Sequence, residues 1–470
     1  MLNAADDAFL ATLGAKLPHG TLRPVDARYL TEPRGRWHGL GAAVALPRTT
    51  AEVATIVAAC NDARVGLVAW GGGTGLVGGQ LQPSGPAPLI LSLERMTATR
   101  GLYPTEAVLT VEAGAILSDV QSRAAEAGFL FPLSLASEGS ARIGGLLACN
   151  AGGLNVLRYG NARDLVLGVE AVMADGTVFN GLKRLRKDNT GYDLRHLLIG
   201  SEGTLGIITA ASLRLFPRPA TALTALLVTP SPDTALRLLT LSQNLLPGMI
   251  SAFELIHRTG FDFLAETMPQ ITCPLPEVPE WSILIELGLP AGLDGETLMA
   301  TLYGEADEAG LVTDGVIATS GQQSAQLWQI REMIPEANRH IGAVSSHDIS
   351  LPLSAIPDFI AKAPAELARI DRFRVNCFGH LGDGNLHYNV FPERGHKASE
   401  HEAQRDAVKT AIHDLVDSMG GSVSAEHGIG RLKVKDLETY GDPAKLAAMR
   451  AIKTALDPNG ILNPGAVLRA

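Results

Sequence analysis

Apolar and polar positions alternate in short blocks along most of the chain, and the blocks predict strands and helices in regular succession. A short helix and the turn-rich approach Pro33-Arg-Gly-Arg-Trp-His-Gly39 occupy the first forty residues. Thr49-Thr-Ala-Glu52 reads as a capping box, so a helix is expected from there through about Ala63. The unbroken apolar run Val65-Gly-Leu-Val-Ala-Trp70 predicts a short buried strand. Strands at Pro88-Leu-Ile-Leu-Ser-Leu93 and Ala107-Val-Leu-Thr-Val-Glu112 carry the alternation on to roughly Pro217, where Pro217-Arg-Pro219 reads as a domain boundary. Beyond it a strand at 223–228, a helix at 232–246, the strand Trp281-Ser-Ile-Leu-Ile-Glu-Leu287 and a helix at 296–309 predict a second α+β domain. A last helix followed by the turn Pro458-Asn-Gly-Ile-Leu-Asn463-Pro464 closes the chain.

The candidate chemistry gathers near the C-terminus. His380-Leu-Gly-Asp-Gly-Asn-Leu-His387-Tyr-Asn389 and Ala425-Glu426-His427-Gly428-Ile-Gly430 bring imidazoles, a carboxylate and an amide onto short, glycine-punctuated segments. His380, His387 and Glu426 offer the N and O donors of a borderline divalent cation, and three protein ligands leave a coordination position open. The Gly382-Asp-Gly384-Asn turn lets the strand fold back so that both rings face one centre. His427, next to Glu426, is placed to act as a base on something bound to the metal. The bland alternative is that each imidazole satisfies a local hydrogen bond.

Gly73-Thr-Gly75-Leu-Val-Gly78 matches the dinucleotide fingerprint G-x-G-x-x-G literally, with Glu94 ending the next strand. A nicotinamide site of that kind needs a helix after the loop. The connection Gly79-Gln-Leu-Gln-Pro83-Ser-Gly85-Pro86-Ala-Pro88 holds three prolines and Gly85, which exclude a helix interior. The loop instead reads as a phosphate-cradling turn in which backbone N–H groups approach a pyrophosphate; the alternative is a tight turn kept for packing. Two further glycine-dense stretches, 137–160 and 199–208, suit a long, flat cofactor lying against backbone.

Bulk properties narrow the class. The 470 residues call for two or three domains, and 46% hydrophobic with 19% charged residues describe a globular chain. The net charge of −10 argues against nucleic acid, whose binders neutralise phosphates. Cys60, Cys149, Cys273 and Cys377 are dispersed, which fits a reducing compartment. An acidic start without a signal-peptide pattern, and no apolar stretch long enough for a transmembrane segment, complete the expectation of a cytoplasmic protein.

Taken in order, the motifs Gly71-Gly-Gly-Thr-Gly75, Ile143-Gly-Gly…Asn150-Ala-Gly-Gly153, Gly200-Ser-Glu-Gly-Thr-Leu-Gly206, His380…His387 and Ala425-Glu-His-Gly-Ile-Gly430 resemble those of the vanillyl-alcohol oxidase type of flavoproteins. The chain is most similar to the FAD-dependent D-2-hydroxyacid dehydrogenases in that group, from about Gly39 to Ala466. The resemblance implies an α+β fold with a two-part FAD-binding domain, an α+β cap domain and a C-terminal segment returning to the FAD domain. The expected boundaries are a lead at 1–38, the FAD-binding domain at 39–217, the substrate domain with the metal-binding hairpin at 218–418, and the returning segment at 419–470.

FAD would meet Gly71, Gly72, Gly73, Thr74, Gly75 and Gly78 at its pyrophosphate. Pro132, Gly139, Ser140, Gly144, Gly145, Asn150, Gly153, Gly160, Glu202, Gly203, Ile207 and Asn463 would line the rest. Relatives usually carry Asn where Gly73 stands, which puts one hydrogen bond in doubt. The first glycine loop lacks the histidine of covalently flavinylated relatives, so the FAD is expected to be dissociable.

The implied reaction is oxidation of a D-2-hydroxy acid to its 2-oxo acid. His380, His387 and Glu426 would hold zinc, with manganese as the alternative, His427 would be the base and Asn389 would hydrogen-bond the substrate. The segment Leu185-Arg-Lys187-Asp-Asn-Thr-Gly191-Tyr-Asp-Leu194 resembles the D-2-hydroxyglutarate enzymes more than the D-lactate ones. Arg331 matches the arginine that would hold a diacid's far carboxylate; the other reading is an ion pair with Glu332 or Glu336. The hydroxyglutarate pattern has Thr and Lys where this chain shows Pro335 and Ser346, so D-lactate and D-malate stay open. Arg339, His340 and His347 are candidates to replace the missing charge. The electron acceptor would be a quinone, a cytochrome or an electron-transferring flavoprotein, and the resemblance allows a homodimer. The rivals are an oxidase using oxygen, a flavin-free metal hydrolase and a catalytically silent subunit.

Overall fold

The computed structural model describes residues 1–469 and divides the chain into two compact units. The first takes Met1–Gly153, Tyr159–Arg218 and the residues from Glu426 on; the second takes Leu154–Arg158 and Pro219–Ala425. The chain therefore returns to the first unit at Glu426, a few residues beyond the expected start of the returning segment, and five residues near 156 join the second unit.

In the first unit β1 (Leu22–Arg23), β2 (Ala43–Ala45), β3 (Leu67–Trp70) and β4 (Leu89–Ser92) form a sheet in the order β1-β2-β4-β3, with β4 parallel to both neighbours. Helix α1 (Thr50–Ala63) starts where its cap predicts. The Thr49 hydroxyl accepts the Glu52 amide at 3.2 Å, and the Glu52 carboxylate accepts the Arg48 amide at 2.9 Å. Val53, Ile56, Val57 and Cys60, spaced for one helix face, pack with Leu67 and Leu89 in one core. The strand is shorter than the apolar run because Val65 donates back to the Cys60 carbonyl at the helix end (2.8 Å). Residues 71–88 contain no helix, as the prolines require.

A second sheet of this unit, β5 (Thr99–Tyr103), β6 (Val108–Glu112), β7 (Val166–Val172), β8 (Val178–Gly181) and β9 (Ile207–Arg214), is antiparallel in the order β5-β6-β9-β7-β8. Helix α2 (Ile143–Cys149) packs Ile143, Leu146 and Leu147 into its core. The C-terminal residues extend the first sheet: Leu67 donates to Ile461 and accepts from Asn463, each at 2.8 Å. Arg431 ties this return down through the Gly78, Gly79 and Pro464 carbonyls and the Asn463 side chain, at 2.9–3.2 Å. Burial pulls its guanidinium down to about 10.

The second unit is built on a seven-stranded antiparallel sheet of β10 (Thr221–Thr229), β11 (Ile250–His257), β12 (Trp281–Leu289), β13 (Asp314–Ile317), β14 (Ser345–Ser350), β15 (Arg374–His380) and β16 (Asn385–Phe391). Their spatial order is β13-β10-β12-β11-β15-β16-β14. Helices α3 (Arg258–Thr267) and α4 (Gly321–Ile341) pack Phe261, Phe263, Leu327, Ile330 and Ile334 against Ile256, Phe378 and Phe391. The helices expected at 232–246 and 296–309 run Pro232–Leu245 and Gly295–Glu308. The β15–β16 hairpin turns at Gly384, where φ is +85° and a Cβ would stand 2.5 Å from the Leu351 carbonyl oxygen. Among the described residues no helix is long and apolar enough to cross a membrane.

Candidate active site

Strand register in the second unit collects a polar row. Glu254 lies opposite His380, Phe378 opposite His387, and Asn376 opposite Asn389; on the far side His387 faces Asp348 and Asn389 faces Ser346. Directly paired residues point to one face of a sheet, so these side chains share it. The His380 and His387 rings stand 5.5 Å apart, edge to face. Asn385 donates to Asp348 at 3.0 Å, and Asn376 to Asn338 of α4 at 2.8 Å.

At the centre of the row is a carboxylate that no motif marked. Glu254 is 1% exposed, and its Oε1 lies 2.7 Å from His380 Nδ1 while its Oε2 accepts from Arg331 Nε at 2.8 Å. Burial alone would raise this carboxyl, but His380 and Arg331 outweigh it and hold it at about 2. An ionised carboxylate only accepts, so His380 carries a proton on Nδ1 toward Glu254. A carboxylate bonded to the other ring nitrogen is the usual support of a metal-ligating imidazole.

Arg331 is not the surface residue of the alternative reading. It is 5% exposed, with its guanidinium 4.8 Å above the Phe378 ring, and its Nη atoms donate to no described residue. Glu336 pairs instead with Arg339 and His340. Those two residues are exposed, and His347 points to the opposite face, beside His413, because it alternates with Ser346 and Asp348. None of the three joins the row, so none replaces the lysine. Pro335 lies one turn after Arg331 inside α4 and has no N–H to give the Arg331 carbonyl.

The first unit holds a cavity of about 580 Å³, within the range of cofactor sites. Gly71, Gly72, Gly73, Thr74, Gly75, Gly144, Gly145, Glu202, Gly203 and Ile207 line it. The two glycine stretches abut: a Cβ on Gly71 would stand 3.3 Å from Gly145 Cα, and one on Gly72 only 2.2 Å from the Ser140 carbonyl oxygen. A wall of bare backbone and small residues fits a flat nucleotide cofactor. Gly78, Pro132, Gly139, Ser140, Asn150, Gly153, Gly160 and Asn463 stand outside the lining. Several of them shape the backbone behind it. Asn150 ends α2 in the left-handed region and accepts the Arg163 amide at 2.9 Å, and Asn463 donates to the Gly79 and Glu202 carbonyls, each at 2.9 Å. Arg142 and Cys149, within the glycine-dense stretch but not among the residues expected to meet FAD, also line the cavity.

Glu426 and His427 line the same cavity, His427 Nε2 lying 3.7 Å from Glu426 Oε1. Glu202 holds their segment in place. Its carboxylate accepts the Ile429 amide at 2.7 Å and the Gly430 amide at 2.8 Å, and burial raises its pKa against those bonds. Of the expected metal ligands, His380 and His387 belong to the second unit and Glu426 to the first. Ala425, immediately before Glu426, donates to the Asp348 carbonyl at 3.3 Å on the strand that pairs with His387.

Residues 41–181 match an FAD binding domain, and residues 218–467 match the C-terminal domain of FAD linked oxidases. A mitochondrial D-2-hydroxyglutarate dehydrogenase of Bos taurus is 40% identical over 446 residues, 93% of this chain and 80% of that protein. The chain belongs to the FAD-dependent D-2-hydroxyacid dehydrogenases. A Schizosaccharomyces pombe protein named as a mitochondrial D-lactate dehydrogenase is 34% identical over 428 residues, covering 89% and 80%. The structure of p-cresol methylhydroxylase with substrate bound superposes with a TM-score of 0.74 at 17% identity, covering 98% of this chain and 97% of that one, so the fold is of the vanillyl-alcohol oxidase type. The FAD-binding match removes the flavin-free hydrolase. The cytoplasmic expectation is also corrected, because both relatives are named as mitochondrial. Dispersed thiols are compatible with any reducing compartment and never selected the cytoplasm.

Proposed function

We propose that this dehydrogenase oxidises D-2-hydroxyglutarate to its 2-oxo acid, with FAD in the glycine-walled cavity and zinc or manganese on His380, His387 and Glu426. The carrying observation is the buried Glu254–His380 pair, which readies one imidazole as a ligand beside a second. When bound, the cation would supply Lewis acidity toward the substrate hydroxyl, and FAD would supply the acceptor for the C2 hydride. His427, on the cavity wall, takes the hydroxyl proton. Asn389 hydrogen-bonds the substrate, and the two Nη atoms of Arg331 pair with the far carboxylate. Burial pushes the Cys149 thiol on the cavity wall up to about 12, so it stays protonated, which supports a dissociable FAD.

A D-lactate preference is the second reading. Ser346, exposed opposite Asn389, is neutral where the hydroxyglutarate pattern carries lysine. Anaerobic bleaching of the flavin by each D-acid and its L-isomer, with and without chelator, tests both. Fast bleaching by D-2-hydroxyglutarate that chelation abolishes is expected. Preference for D-lactate would replace the substrate assignment, and bleaching indifferent to chelation would remove the metal.

A further inference from the structure

We propose that Glu254 is a positioning residue that sets the distance at which two ends of a diacid are read. It rests on the assignment of His380 to the metal and Arg331 to the distal carboxylate, and adds that one buried side chain fixes both. The two oxygens of Glu254 have separate partners, His380 Nδ1 at 2.7 Å and Arg331 Nε at 2.8 Å. Glu254 and His380 are directly opposed on β11 and β15, so their backbones cannot drift apart without breaking the ladder. Arg331 reaches the pair from α4, across the core, with its plane set against Phe378.

Two consequences follow from this geometry. Glu254 fixes the ring plane of His380 through Nδ1, so it sets the direction of Nε2 and raises metal affinity without touching the metal. Engaging Nε of Arg331 alone orients the guanidinium so that Nη1 and Nη2, the pair suited to a carboxylate, face away from Glu254. With Lys absent at position 346, this ion pair and the Phe378 ring hold the arginine in one pose. The distance from metal to arginine then selects a diacid over a monoacid such as D-lactate.

The test compares wild type with Glu254→Gln in the FAD-loaded enzyme. A carboxamide has one acceptor, so either the histidine or the arginine meets an N–H in place of an oxygen. Zinc affinity, read by chelator competition without turnover, should fall about 10- to 100-fold, the usual effect of losing a ligand's hydrogen-bond partner. The ratio of kcat/KM for D-2-hydroxyglutarate over D-lactate should fall with it, mainly through KM for the diacid. Unchanged zinc affinity and an unchanged ratio would overturn the positioning role while leaving the metal and substrate assignments standing. Wild-type protein whose zinc binding is indifferent to His380→Ala would instead overturn the assignment beneath it. If the variant fails to fold, ¹⁵N-histidine spectra of the wild type decide: a proton on His380 Nδ1 is expected, and one on Nε2 refutes the proposal.

Discussion

Removing the Glu202 carboxylate tests how the segment bearing Glu426 and His427 is held. Glu202→Ala deletes the acceptor of two backbone amides, Ile429 at 2.7 Å and Gly430 at 2.8 Å, without touching the backbone path. Hydrogen bonds to a charged group contribute about 1.5–3 kcal/mol each, so the gross loss is about 3–6 kcal/mol. Part of it returns, because the raised pKa shows that burial penalises the charge more than these bonds favour it. The strain of a left-handed φ of 51° is the same for alanine and cancels. A net local cost of about 2–3 kcal/mol remains. It falls on one clamp, so it should appear as local opening of the returning segment more than as global unfolding. Hydrogen exchange of a peptide spanning 426–432 is the assay. At about 1.4 kcal/mol per tenfold, exchange there should quicken by roughly 30- to 150-fold while the sheet of the second unit is unaffected. Wild-type exchange in that peptide would refute the clamp.

Two further outcomes are expected. Gly72→Ala places a Cβ 2.2 Å from the Ser140 carbonyl oxygen and 3.0 Å from Ala141 Cα, both backbone, so the cavity wall must shift at about 1–3 kcal/mol; flavin absorbance per protein after gel filtration should fall, and full retention would count against this wall as the FAD site. Glu170 is opposed by burial but held below its ordinary 4.5 by Arg100, Thr50 and Thr209. Its stabilisation is therefore present above pH 4.5 and lost as the pH falls through the lower folded value. The melting temperature of Glu170→Gln should depend less on pH below 4.5 than that of wild type, and parallel curves would contradict the linkage.

The elements that short-range pattern controls were legible. The Thr49 cap, the apolar strands and the helix-breaking prolines of 79–88 act within a few residues, and the structure follows each to within a residue or two. The His380–His387 hairpin was legible for the same reason: its glycines, histidines and turn lie within eight residues. The glycine motifs marked the cavity but not which glycines face it. Gly71 and Gly145 meet across the wall, whereas Gly78, with a φ of +69° and Trp37 2.1 Å from where its Cβ would be, is kept for its turn.

Glu254 was illegible because nothing near it in sequence has chemistry to share. Its strand reads Ile-Ser-Ala-Phe-Glu-Leu-Ile-His, an apolar run whose single acid looks like an ordinary edge residue. Its partners stand 126 and 77 positions away: the β11–β15 pairing brings His380, and the packing of α4 brings Arg331. A buried ionised carboxylate is costly unless both its oxygens are matched, so a chain that keeps one at a strand centre must supply cations from elsewhere. Here the partners are the imidazole and the guanidinium that the motifs had already singled out for metal and substrate. The residue that sequence could not find is thus the one through which the two residues it did find are joined.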